Sequence, residues 1–530
     1  MSTSDCPVRC VGPGAPKLGA ISASELPVDN WILLALVAVA AAIRFLVIDN
    51  QSFWADEALT AYETHLSFGA MLGTVAHVET TPPLYFVVIW IWAHIFGSGE
   101  VGLRSFSGLA GVAIVPIAFI TARELVSRRA GVFAAAFVAV NPFMIWYSQE
   151  ARSYMLLAVL SGASFLWFVR ARRDPTTRNL AWWAACSALA VMTHFFAGFL
   201  VAPEALWLLW VSRGRAAVFA VAVVAVVQAA MLPLALADTG HGTGWIAHVP
   251  RLSRVATMAG EWMVSLLYRR VGVHAGLLGG AALLLLVIAL LVFAGDRVIW
   301  AGASDAAALA AFVVIAPLVL GLLGHDYFLS RNEIPAFIPL VTVAAAACVA
   351  PRAPALGTAF AIALLIVFSV STFEVQTHRY LERPDWRDVA RALGAADGPR
   401  AIYAADGTTA DPLKIYMPHV HWVQPQSRPE TIDEVDIVGA TKRLTLVTGP
   451  TQTPTGSGAA PATVGRPVPR SVAPPGSRLI ARVRVDNWVV ARLALDHPVR
   501  VSIHRLIALA PRYFRHTPRS LLLFFQQRGR

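Results

Sequence analysis

Charge is scarce in this chain of 530 residues: Asp, Glu, Lys and Arg together make up 14%, against 57% hydrophobic residues. A soluble chain carries about 25% charged residues. The polar residues are too few to cover a folded chain of this size, so lipid must act as the solvent for much of it. Cysteine is scarce as well. Cys6 and Cys10 lie in the N-terminal stretch, and Cys186 and Cys348 lie inside apolar runs. The long polar C-terminal part holds none, which excludes a disulfide framework there. Cys6-x-x-x-Cys10 has no second Cys or His pair nearby and does not read as a metal site. A cleavable signal peptide is missing: residues 1–30 are polar with Pro and Gly, and the first apolar run opens at Trp31. They read as a cytoplasmic disordered tail. No nucleotide motif stands out either, because Gly-rich stretches such as Gly276-Leu277-Leu278-Gly279-Gly280 lack a following Lys-Ser/Thr. The net charge of +11 does not indicate nucleic acid, since most Arg falls in short clusters between apolar runs.

What the chain has in quantity is apolar runs near the length that crosses a bilayer, about 20 residues. Eleven candidate spans lie near 31–48, 103–124, 130–147, 153–170, 180–195, 197–212, 216–236, 275–294, 306–323, 335–350 and 355–372. Residues 82–97 are also apolar, and the positive-inside rule decides their status. If they do not cross, then Arg123, Arg128, Arg129, Arg170, Arg172, Arg173, Arg178, Arg213, Arg215, Arg297 and Arg352 all share the side of the N-terminus. Residues 82–97 are therefore expected as an amphipathic or re-entrant helix at the outer surface, with a short true span as the alternative. The N-terminus is then cytoplasmic and the C-terminus extracytoplasmic, in a multi-pass protein of the plasma membrane.

Composition changes after Phe373. Residues 374–510 read as a small extracytoplasmic α/β domain with β-type runs at 400–404, 444–448 and 479–495 and a flexible Pro/Gly/Thr/Ser segment at 449–476. Asp385 is a suitable N-cap for a helix over 385–394. Residues 511–530 read as a basic amphipathic tail, either on a membrane surface or disordered. The expected fold is an α-helical polytopic membrane domain over 31–373, with about eleven spans and juxtamembrane helices in its outer loops, followed by that domain.

The candidate site residues all fall on the outer side. Asp56 and Glu57 are adjacent carboxylates just past the first span, and ionisable groups at membrane depth are costly enough to be functional candidates; acids also suit the start of a helix over 58–68. Glu79 precedes Pro82-Pro83, which stiffens the entry to the surface helix. Arg104 opens the next span, either as a snorkelling anchor or as a phosphate contact. The short turn Tyr147-Ser148-Gln149-Glu150-Ala151-Arg152-Ser153-Tyr154 carries Tyr147, Glu150 and Arg152. Its guanidinium suits forked binding of phosphate or a Glu150–Arg152 pair. His194, among aromatics at the following outer turn, reads as a packing residue or a substrate contact. Arg331 stands in an outer segment against the charge bias, and an anionic ligand explains it.

In order and topology these elements resemble the multispanning glycosyltransferases of the GT-C superfamily, especially the bacterial branch related to protein O-mannosyltransferases and lipid A aminoarabinose transferases. The matching features are Asp56-Glu57, Pro82 to Tyr85, Leu103-Arg104-Ser105, Tyr147 to Arg152, the Arg331 region and Asp385-Trp386-Arg387-Asp388. Thr81 departs from the pattern, since several relatives carry Lys or His before the proline pair. The resemblance implies a polyprenyl-phosphate-sugar donor and inverting transfer of mannose or a pentose to an envelope lipid, glycan or protein. It implies that Asp56 is the general base and that Arg residues stabilise the leaving phosphate. No cofactor is required by this reading. Asp56, Glu57, Glu79 and Glu150 offer oxygens to a divalent cation. The rival readings are a lipid or sugar transporter or flippase, although no internal repeat is found, and a non-catalytic scaffold or glycan-recognition protein.

Overall fold

The computed structural model describes residues 26–237, 246, 249–265, 273–378, 381, 383–405, 410–422, 428–440, 469–470, 473–486, 488–514 and 521–527. Sixteen α-helices lie among these residues up to Thr377. They are α1 (Leu26–Phe45), α2 (Ala55–Thr64), α3 (Phe68–Val78), α4 (Leu84–Phe96), α5 (Glu100–Leu125), α6 (Arg128–Val140), α7 (Pro142–Ser148), α8 (Tyr154–Arg173), α9 (Thr177–Thr193), α10 (Gly198–Val211), α11 (Arg215–Ala237), α12 (Arg251–Val264), α13 (Val273–Ala294), α14 (Arg297–Leu322), α15 (Phe337–Cys348) and α16 (Pro354–Thr377).

Every one of the eleven expected spans falls on a helix, but the expected count is too high. Six helices are long and apolar enough to cross a membrane, at Glu100–Leu125, Tyr154–Arg173, Arg215–Leu236, His274–Ala294, Arg297–Leu322 and Pro354–Thr377. The bent pair α6 and α7 makes a seventh. The other runs form shorter helices: the apolar part of α1 is Asn30–Phe45, and Phe195–Val211 and Ile334–Cys348 are likewise short. At 1.5 Å per residue these reach about 25 Å or less, below the ~30 Å hydrocarbon core. The 13-residue α4 reaches only about 20 Å, too short to cross. Large apolar side chains on the long helices, such as Phe219, Leu278, Leu285 and Leu322, are two-thirds or more exposed, as lipid-facing residues are.

Pro142 explains the 56° bend between α6 and α7. It drives Asn141 out of helical geometry (ψ 123°) and supplies no N–H, so the last carbonyls of α6 lose their partners. Arg44 of α1 bonds the carbonyls of Val138 and Ala139 at 3.1 and 2.9 Å, and Thr372 Oγ1 of α16 bonds that of Val140 at 3.0 Å. Arg44 also donates to Ser148 Oγ at 3.0 Å. Gly111 makes room for that bond, because a methyl there would overlap both Ser148 Oγ and the Arg44 guanidinium.

The C-terminal part is a six-stranded sheet of β1 (Arg400–Ala405), β2 (His421–Trp422), β3 (Glu430–Ala440), β4 (Ser477–Val485), β5 (Trp488–Val501) and β6 (Leu521–Gln526), in the order β2-β6-β1-β3-β5-β4. Only β1 and β3 pair in parallel. Alternation along β1 buries both faces. Ala401 and Tyr403 join the core under helix α19 (Ile503–Tyr513), and Ile402 and Ala404 join the core under α17 (Trp386–Leu393) and α18 (Leu413–Tyr416). Asp385 caps α17 as expected, accepting from Asp388 N at 3.0 Å. The expected amphipathic tail over 511–530 is corrected: Leu521–Gln526 is a strand inside the sheet, antiparallel to β1, because its Leu and Phe run fills the slot between β1 and β2. The run 444–448 and nearly all of 449–476 lie outside the described residues.

Candidate active site

The site forms where α2, the 79–83 loop, the 149–153 turn, the His194 turn and the 326–333 segment meet at one end of the helices. Asp56 and Glu57 sit in the first turn of α2 and have opposite environments. Glu57 is fully buried. Its Oε1 accepts from Arg104 Nε at 2.7 Å and Ala151 N at 2.9 Å, and its Oε2 accepts from Arg104 Nη2 at 2.7 Å and Trp54 N at 3.4 Å. A carboxylate offers about four lone-pair positions, and here all are used. These bonds and Arg104 hold the Glu57 carboxyl below its ordinary value despite burial. Glu57 thus ties the first turn of α2 to Arg104 and to the 149–153 turn. Arg104 neither snorkels nor remains free for phosphate: it also donates to the carbonyls of Ile48, Gln51 and Ser52.

The Asp56 carboxylate has no hydrogen bond or ion pair among the described residues. Burial raises its pKa, with Arg152 and Arg331 opposing and Glu79 and Glu57 reinforcing. The result is a partly exposed, half-desolvated carboxyl with both oxygens uncommitted, more basic than an ordinary aspartate.

Arg152 grips Glu79, not Glu150, through a forked pair of bonds at 2.7 Å each, and its Nη1 also reaches Thr60 Oγ1 at 3.2 Å. Glu150 is held by Arg383, whose Nη2 donates to Oε2 at 2.7 Å while Nη1 donates to the Gln149 carbonyl at 3.1 Å. Burial lifts Glu150 to about 7. His194 Nδ1 accepts from Phe196 N at 3.2 Å and so caps the following turn. Burial, with Arg331 and Arg152 nearby, lowers its pKa to about 3. The imidazole stays neutral, with its proton on Nε2, and serves as a cap.

Arg331 is the exception among these cations. Its Nε and Nη1 are buried and have no hydrogen-bond partner, and its guanidinium lies 5.5 Å from the centre of the Tyr154 ring. The groups bearing on its charge are Tyr154, Asp56, Tyr147 and Glu150. Tyr147, whose ring packs 5.1 Å from that of Tyr154, also has a buried hydroxyl without a partner. Buried donors without acceptors are rare in proteins and mark a place for a ligand or water. The segment is braced from behind: Asn141 Nδ2 bonds the Trp262 carbonyl at 2.9 Å and Trp262 Nε1 bonds that of Ser330 at 3.1 Å.

All nine residues expected at the site therefore gather in one cluster. Sequence reasoning missed Arg383, although an Arg just after the last span breaks the same charge bias that singled out Arg331. It also missed Glu63, two turns along α2 from Asp56. Its buried carboxyl has no partner among the described residues and is lifted to about 8 by burial and by Glu79. No group of three or more metal-ligating side chains occurs among the described residues, so the oxygens of Asp56, Glu57, Glu79 and Glu150 do not converge on one cation position.

Long and bent helices followed by a C-terminal sheet, with the acidic pair of α2 at one end of the helices, make a polytopic, membrane-like fold. This fold is similar to that of ArnT from Cupriavidus metallidurans in the apo state, at 15% identity and a TM-score of 0.52, covering 87% of this chain and 98% of that one. ArnT from the same organism bound to undecaprenyl phosphate aligns at 15% identity and TM-score 0.49, covering 88% and 98%. The oligosaccharyltransferase of Archaeoglobus fulgidus in the apo form aligns at 14% identity and TM-score 0.44, covering 70% and 58%. A family model described as dolichyl-phosphate-mannose-protein mannosyltransferase matches residues 80–239. That stretch holds Arg104, Glu150, Arg152 and His194 but neither Asp56 nor Arg331. Comparison with curated proteins gave no match.

Proposed function

We propose that the chain is a polyprenyl-phosphate-sugar-dependent glycosyltransferase, working at the outer face of the plasma membrane and moving mannose or a pentose to an envelope lipid, glycan or protein. The observation that carries this reading is the pair formed by Asp56 and Arg331: one carboxylate without a bonded partner among the described residues, beside a guanidinium whose buried Nε and Nη1 are both unused donors. Displacement at an anomeric carbon needs only a base on the acceptor hydroxyl and a cation on the departing phosphate.

In this mechanism Asp56 takes the proton of the acceptor hydroxyl as its oxygen attacks the anomeric carbon. The bond from that carbon to the phosphate oxygen breaks, and the electron pair leaves with the lipid phosphate. Arg331 meets the growing negative charge, and attack from the face opposite the leaving group inverts the configuration. Glu57, Arg104, Glu79 and Arg152 hold α2 and the 79–83 loop in register. The name of the matching family model supports a polyprenyl-phosphate donor and the GT-C fold supports the reaction class.

Orientation follows from charge. Arg123, Arg128, Arg129, Arg170, Arg172, Arg173 and Arg178 lie at the ends of α5, α6, α8 and α9 away from the site. The positive-inside rule assigns that end to the cytoplasm and the site, with the sheet domain, to the outside. In this reading residues 31–373 are the catalytic membrane domain and the polar part that follows is extracytoplasmic.

The test is transfer of radiolabelled sugar from a polyprenyl-phosphate donor to envelope extract by the purified protein in lipid. Wild type is expected to transfer and Asp56→Asn to be inactive at equal folding. Full activity of Asp56→Asn would remove the mechanism, and uptake of donor into vesicles without transfer would favour a transporter.

A further inference from the structure

The segment that leads into α2 is held from two sides. From the membrane domain, Arg104 bonds the carbonyls of Ile48, Gln51 and Ser52. From the C-terminal side, a row of contacts reaches the same few residues. Arg383 N donates to Gln51 Oε1 at 3.1 Å, Trp386 N donates to Ser52 Oγ at 2.9 Å, and Ser52 Oγ donates to the Pro384 carbonyl at 2.9 Å. Arg387 Nη2 donates to the Asp49 carbonyl at 2.9 Å. Farther along the chain, in α18, the Tyr416 hydroxyl accepts from Phe53 N at 2.7 Å and donates to Glu100 Oε1 at 2.6 Å, so it links the start of the α2 segment to the first turn of α5. Ile415 and Tyr416 pack on the apolar cluster of Phe53, Ala61, Tyr85, Phe86 and Leu103.

These contacts converge three residues before Asp56. The Asp56 carboxylate has no bond of its own to orient it, so its direction is set by the backbone of the α2 entry. The Phe53 amide sits just before the N-cap residue Trp54, whose own N–H is bound by Glu57.

We propose that Tyr416, acting with Arg383, is a positioning residue for the transfer reaction: the C-terminal domain forms part of the frame that aims Asp56. The proposal rests on the assignment of Asp56 as the base. The hydroxyl of Tyr416 fixes the amide at residue 53, and Arg383 ties Gln51 to Glu150 on the opposite wall of the site. The outer domain then serves geometry in the membrane domain, in addition to anything it binds itself.

The experiment uses the full chain in lipid nanodiscs with Tyr416→Phe, which removes one oxygen and keeps the ring packing, and Lys414→Gln on the same short helix as control. Amide hydrogen exchange is read at Phe53 and Trp54, and transfer is read from the polyprenyl-phosphate donor. For Tyr416→Phe, exchange at Phe53 is expected to rise roughly 2- to 10-fold, the scale of one neutral hydrogen bond. Its kcat is expected to fall about 10- to 100-fold with the donor KM unchanged, as for a displaced catalytic group. Lys414→Gln is expected to match wild type in both. Unchanged exchange, raised exchange with unchanged kcat, or a raised donor KM at full kcat would each overturn the proposal. An active Asp56→Asn would remove the base assignment instead, a failure seen in a different protein.

Discussion

Arg104 directs all five of its N–H donors at Glu57 and at the carbonyls of Ile48, Gln51 and Ser52. One guanidinium thereby fixes the carboxylate next to Asp56 and the chain leading to it, and this separates the roles of two adjacent acids that look alike in the sequence.

Loss of Arg104 is expected to be a folding defect. Arg104→Ala leaves Glu57 buried without its cation, a change that costs about 3–5 kcal/mol. Thermal unfolding in detergent should show a large fall for Arg104→Ala and a smaller one for Glu57→Gln. A substrate-binding arginine would instead raise the donor KM and leave the melting temperature alone.

Asp56 is expected to behave in the opposite way. Its carboxylate bonds nothing among the described residues, so Asp56→Asn should melt with wild type while transfer drops by about 10²- to 10⁴-fold, the contribution of a general base. The pH profile carries the same signature. Asp56 is raised above the ordinary aspartate value by burial and is active as the anion, so the acid limb of kcat/KM should lie higher than an ordinary aspartate would give.

Arg331→Gln is expected to leave stability unchanged or improved, because the buried Nε and Nη1 have no hydrogen-bond partner among the described residues. Transfer should fall by roughly 10²- to 10³-fold, the size of a removed charge-stabilising donor, and binding of undecaprenyl phosphate should weaken. Arg331→Lys is expected to recover part of both.

Glu63 gives a stability prediction with a definite sign. Its pKa is raised from 4.5 to about 8 in the folded protein. Between these values the folded state holds a proton that the unfolded state has released, so stability falls as pH rises through this window and levels off above 8. Glu63→Gln removes the titration. Relative to wild type it should melt higher at pH 8 than at pH 5; an equal difference at both values would contradict the assignment.

Much of this was legible in the residues. The apolar runs, the polar turn at 147–154, the Pro82-Pro83 entry and the reversed composition after Phe373 each correspond to an element of the fold, because a bilayer makes hydrophobicity nearly decisive for helices. The count of crossings was not legible, since an apolar run says little about where a helix stops: Pro142 splits one span, and α1 and α15 end early. Pairing was also hidden. Glu150 and Arg152 are two residues apart yet choose Arg383 and Glu79, partners 233 and 73 positions away. Such choices depend on which turns meet in space. The strand Leu521–Gln526 was hidden because its pairing partner β1 lies more than 100 residues upstream.

The central claim is that lipid phosphate meets Arg331 while the reacting sugar faces Asp56. The most direct measurement is a structure of Asp56→Asn in nanodiscs with a polyprenyl-phosphate sugar bound. The account predicts a phosphate oxygen within hydrogen-bond distance of Arg331 Nε or Nη1 and the anomeric carbon between that phosphate and residue 56. A phosphate seated on other cations, with Arg331 still unbonded, would contradict it.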